Sequence, residues 1–118
     1  MGLFLVLIAS TFVSVGSAKV KLKEEATGLL AKAKVTPDAA ATAAQPRVPR
    51  ARLTAAEIEE ENGKLIYSFD FKTKGKSGID EVTVDATTGA VLTVEHESPK
   101  DEAGEKADEA RKHVRNTK

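Results

Sequence analysis

The chain has 118 residues, with no cysteine, no tryptophan, one tyrosine and two histidines, and its eighteen basic and eighteen acidic groups cancel. That length admits one small domain with a leader and a tail, and the lack of cysteine excludes a disulfide framework, a thiolate zinc site and a lipid-modified N-terminal cysteine. The charge is unevenly spread. Residues 19–53 carry eight basic groups against three acidic, residues 54–97 four against ten, and residues 98–118 six against five. A nucleic-acid binder needs a basic stripe on its folded part, and here the part expected to fold is acidic.

Residues 1–18, MGLFLVLIASTFVSVGSA, are apolar for about thirteen positions from Leu3, then turn small and end in Gly16-Ser17-Ala18. This is the pattern of a secretory signal peptide cleaved after Ala18. The run is shorter than the ~20 residues a membrane-spanning helix needs, so no span remains after cleavage. No Lys or Arg precedes the apolar run; either the N-terminal amine serves alone or the true start lies upstream. The expected product is exported, to the periplasm or the extracellular space.

In residues 19–35, Leu22, Ala26, Leu29, Leu30 and Ala33 recur at three- and four-residue intervals, which predicts an amphipathic N-terminal helix. Gly28 weakens it by about 1 kcal/mol relative to alanine. A second start signal follows, with Thr36 as N-cap, Pro37 at the first helical position and Asp38 in the first turn. Alanines run to Ala44, and Pro46 and Pro49 stop the helix. Alanine gives propensity but little apolar area, so this helix must lie close against a flat surface.

From Ala51 the period changes to two. Asn62-Gly63 separates two strand-like runs and suits a type I′ hairpin, because both central residues adopt positive φ cheaply. After the turn, Leu65, Tyr67, Phe69 and Phe71 fall on one face, while Ile66, Ser68 and Asp70 fall on the other. Before it, Ala56 and Ile58 join the apolar face, and Glu57, Glu59 and Glu61 point away. A third run places Val82 and Val84 inward with Glu81 and Thr83 outward; a fourth places Leu92 and Val94 inward and Glu95 outward. Between these two runs, Asp85 accepts N–H bonds from the turn it begins and Gly89 closes it. The expected architecture is α+β: a four-stranded antiparallel sheet, covered on one face by the N-terminal helix or helices, with a marginal helical or disordered tail over residues 98–118. The open face gathers Glu57, Glu59, Glu61, Asp70, Glu81 and Glu95 against few bases; together with Ile66, Ser68 and Thr83 it is the candidate partner-binding surface.

Two segments carry a family resemblance. Gly63-Lys64-Leu65-Ile66-Tyr67 and, after a short gap, Val84-Asp85-Ala86-Thr87-Thr88-Gly89-Ala90-Val91 resemble the PepSY domain. Its pattern is a glycine turn, an alternating strand with an aromatic, and a V-D-A-x-T-G-x-V turn before the last strand. On this reading residues 36–97 are the PepSY-like α+β domain, and Asn62, Gly63, Tyr67, Asp85, Ala86, Thr88 and Gly89 are structural turn and core positions. The resemblance implies a domain found in propeptides of thermolysin-like metallopeptidases and in exported and membrane proteins, thought to bind and restrain peptidases. It brings no catalytic residues, and no peptidase domain follows in this chain.

Glu95-His96-Glu97 is the one stretch with the residue types of a metal or acid–base site. In a strand, however, His96 faces away from its two neighbours, and HExxH-type zinc sites need helical spacing. No catalytic residue, cofactor or metal is therefore assigned. The expected function is that of a non-enzymatic exported module that binds and inhibits or regulates a peptidase, possible partners being exported metallopeptidases, through the open sheet face or an edge strand. The alternative is a structural or stress-related envelope protein with weak cation binding on the acidic face.

Overall fold

A computed structural model describes residues 10–99. Six strands form one sheet in chain order: β1 (Phe12–Val15), β2 (Ala18–Glu24), β3 (Ala51–Glu61), β4 (Lys64–Thr73), β5 (Ile79–Asp85) and β6 (Val91–Glu97). All neighbours pair antiparallel except β2 and β3, which run parallel. Two short helices, α1 (Leu29–Lys32) and α2 (Pro37–Ala44), and a 3-10 turn, Gln45–Arg47, lie in the connection between β2 and β3. A parallel pair needs a crossover of a dozen or more residues, and this segment supplies it.

The expected four-stranded antiparallel sheet is therefore corrected to a six-stranded mixed one. The reason lies in residues 12–24. Val13, Val15, Ala18, Val20 and Leu22 alternate with Phe12, Ser14, Lys19, Lys21 and Lys23, a period of two that pairs across the Gly16-Ser17 turn and then onto β3. The N-terminal helix expected over residues 19–35 shrinks to the four residues of α1. Gly28 at φ +89° cannot lie within a right-handed helix. Glu24 stands in for the side-chain cap that Gly28 lacks: its carboxylate accepts from the Leu30 amide at 2.9 Å and the Gly28 amide at 3.3 Å. The apolar start of the signal peptide expected over residues 1–18, residues 1–9, and the expected marginal or disordered tail from residue 100 onward lie outside the described residues.

Helix α2 starts at Pro37, with the Thr36 hydroxyl accepting from the Ala39 amide at 3.2 Å. Its buried stripe, Ala40, Ala41 and Ala44, has no exposed area and packs on β1, β4 and β5. The same core holds Leu53, Ile58, Tyr67, Phe69, Phe71, Val82 and Val84, each at most 1 % exposed. Burying each larger side chain contributes roughly 1.5–3 kcal/mol, so this row is the main apolar term of the fold. Tyr67 and Phe69 stack with centroids 5.8 Å apart. Strand β1 adds the fully buried Val13.

Register places Leu92 differently from the alternation expected of it. A bulge between Thr83 and Val84 pairs Val84 with Val91 and Thr83 with Thr93. The extra residue sends Leu92, 38 % exposed, to the open face.

Candidate functional site

The open face is built by register. One row runs Lys23, Glu57, Ser68, Thr83, Thr93; the next runs Ala55, Asp70, Glu81, Glu95. Glu59 lies opposite Ile66, and Glu61 opposite Lys64 across the hairpin. All nine residues singled out from the sequence thus fall on one face. Ile66 at 7 % and Thr83 at 9 % exposure form its floor rather than its rim. Ser68 donates to the Glu59 carboxylate at 2.8 Å, and the Thr83 and Thr93 hydroxyls bond to each other.

Two features of this face were not read from the sequence. Strand β2 brings Lys21 and Lys23 alongside Glu57 and Glu59 in a shallow trough of about 690 Å³. With Arg52 opposite Lys72 at the far end of the β3–β4 pair, the face has an acidic centre and basic margins. The signal was the K-x-K-x-K alternation of residues 19–23, masked by the helical spacing that follows. In addition, Leu92 joins Ile66 as an apolar spot in a depression of about 440 Å³ flanked by Glu61, Glu81 and Glu95.

The turn between β5 and β6 holds the structure together from the other side. Asp85 Oδ1 accepts from the amides of Thr87 at 2.8 Å and Thr88 at 3.1 Å. These two bonds hold its carboxyl below the ordinary carboxylate value, and the Lys64 ammonium, 3.9 Å away, adds a smaller effect in the same direction. Ala86 is fully buried; its carbonyl accepts from the amides of both Lys34 and Val35. The Tyr67 hydroxyl donates to the Val35 carbonyl at 2.7 Å. Burial pushes that phenol up to about 12. The segment leading into α2 is thereby bolted to the sheet by Tyr67 and the Asp85–Gly89 turn. Asn62 and Gly63, at φ +50° and +75°, make the β3–β4 hairpin at the same end of the sheet.

These two turns and the aromatic between them coincide with a known sequence profile, that of PepSY, the peptidase propeptide and YPEB domain, which matches residues 34–95. The chain belongs to the PepSY family. No curated protein and no solved structure matches it. The matched PepSY segment contains α2, β3 to β5 and β6 as far as Glu95; β1, β2 and α1 precede it, and the two strands extend its sheet along the β3 edge. The name ties this domain to peptidase propeptides, a regulatory setting whose partners are proteins.

The residues of Glu95-His96-Glu97 separate as strand geometry requires. His96 Nδ1 lies 2.8 Å from Asp80 Oδ1, in the register row that continues the covered face. Glu95 and Glu97 point to the open side, where with Glu81 they offer three carboxylate oxygens within 4.8 Å of one another. No helix among the described residues is long and apolar enough to cross a membrane.

Proposed function

We propose that this PepSY chain is a non-enzymatic exported binding module that holds a peptidase and regulates it through the open face of its sheet. The observation that carries this reading is the asymmetry of the sheet. Leu29 of α1 and the alanines of α2 join the core on one side, while the other side presents carboxylates around the Ile66–Leu92 spot. Such a surface suits a partner segment that offers an apolar side chain between basic ones. The apolar contact supplies affinity, and the charges supply on-rate and selectivity.

The test uses the exported metallopeptidases of the same organism. Glu61→Lys and Glu95→Lys change exposed side chains, so the double variant should keep its stability within about 0.5 kcal/mol. Its association rate with the peptidase should fall about tenfold or more at low salt. Unchanged association, or no peptidase bound by the unaltered protein, defeats the reading.

The cluster of Glu81, Glu95 and Glu97 favours a second reading, an envelope protein with weak cation binding on this face. Calorimetric titration with calcium separates the two: binding heat that Glu95→Gln abolishes supports the cation reading, and no heat counts against it.

A further inference from the structure

Strand β1 lies wholly within the segment whose composition reads as a leader ending at Ala18, yet it occupies one edge of the folded sheet. Val13 is fully buried, opposite Val20 of β2 and against α2. The Leu22 amide donates to the Thr11 carbonyl at 2.8 Å, and the Ser14 amide donates to the Asp38 carboxylate at 2.9 Å. On the other face, Phe12 and Ser14 lie opposite Lys21 and Lys19, with the Lys19 ammonium 4.8 Å from the Phe12 ring centroid. Beyond Val15 the chain turns through Gly16 and Ser17. A cut after Ala18 therefore severs β1 from the sheet and leaves β2 intact beyond its first residue.

We propose that removal of the leader opens the edge of β2, and that the slot then takes an extended segment of a partner protein. The segment pairs antiparallel to β2, with a valine-sized side chain in the place of Val13 and aromatic or acidic side chains over Lys19 and Lys21. A bare edge offers a row of unpaired N–H and C=O groups, and main-chain pairing along it supplies affinity. The Val13 cavity restricts size, and the two lysines restrict charge. Until processing, the chain's own leader fills the slot, so binding is coupled to export. This inference rests on the export reading above but not on the acidic centre of the open face.

The test starts from the full chain produced with its leader. The exported product is collected, its N-terminus is determined by mass spectrometry, and a fluorescein-labelled nonapeptide STFVSVGSA, residues 10–18, is added while anisotropy is followed. The product should begin at Lys19 and bind one peptide per chain. A peptide carrying Val13→Asp should bind at least about tenfold more weakly, because it would bury a charge. A peptide carrying Phe12→Glu should bind with a steeper salt dependence. A product that folds only when peptide is added also counts in favour. An exported product that retains residues 10–18 overturns this inference, because the leader then stays in its own slot, and leaves the exported binding module standing; no exported product at all defeats the export reading and this inference with it. A product beginning at Lys19 overturns the slot alone if it ignores the peptide, binds the Val13→Asp form equally, or pairs with itself in a way the peptide does not disrupt.

Discussion

Asp85 and Tyr67 show how single side chains carry the domain. Asp85→Ala leaves the Thr87 and Thr88 amides without their acceptor and should cost about 1–3 kcal/mol in urea unfolding. Asp85→Asn keeps an acceptor and should cost less. The carboxyl lies below its ordinary value of 3.8 in the folded state, so the folded protein binds fewer protons than the unfolded one. Its contribution to stability is complete above that value and is lost as the pH falls through the depressed folded value. The Asn variant should lose this part of the acid slope. Tyr67 has the opposite sign. Its phenol is raised from 10.0 to about 12, so its contribution is complete below pH 10.0 and lost as the pH rises toward 12. Near-ultraviolet absorbance should show far less tyrosinate in the folded protein than in the unfolded one at pH 10.5, about half a unit above the ordinary phenol value. Tyr67→Phe should cost about 1 kcal/mol by removing the bond to the Val35 carbonyl.

At the scale of elements, the loop between β4 and β5 has one position with no room for a side chain. Gly78 has φ +78°, and a Cβ there would run into the backbone carbonyl of Glu97, with Ser98 Cα at 3.1 Å. Gly75 has φ +82° but open space around it. Gly75→Ala should cost about 1–2 kcal/mol, from the left-handed backbone alone. Gly78→Ala should cost about 1–3 kcal/mol more, because the end of β6 must move. Thermal melts of the two variants side by side separate the terms. The helical elements depend similarly on contacts distant in sequence. The four residues of α1 are too few for an independent helix, and it forms because Glu24 caps it and Leu29 enters the core.

For the whole molecule, the sheet separates an apolar side under α1 and α2 from a charged side with an acidic centre and basic margins. Association of a basic partner with the acidic centre should slow as ionic strength rises, since the Debye length shrinks from about 30 Å at 0.01 M to about 8 Å at 0.15 M. The basic margins of Lys21 and Lys23 make that dependence shallower than a uniformly acidic face would give. Lys21→Ser and Lys23→Ser together should steepen it, as stopped-flow measurements over a salt series would show.

Features written over short distances are legible in the chain alone. Thr36-Pro37-Asp38 starts α2, Asn62-Gly63 makes the hairpin, and the alternation from Leu65 to Phe71 assigns each side chain of β4 to its face. Each rests on one residue's dihedral preference or on the two-residue pleat, so each could be read locally. Other features depend on contacts between segments far apart in the chain. Residues 19–23 alternate as a strand and also begin a helical spacing; pairing of Leu22 with Ala56, thirty-four positions along the chain, settles the choice. The bulge that turns Leu92 outward likewise depends on its neighbour strand. The lysine margin of the open face, and the burial of Val13 under α2, exist only once the crossover has closed, because non-local pairing is set by total packing rather than by any segment's own preference.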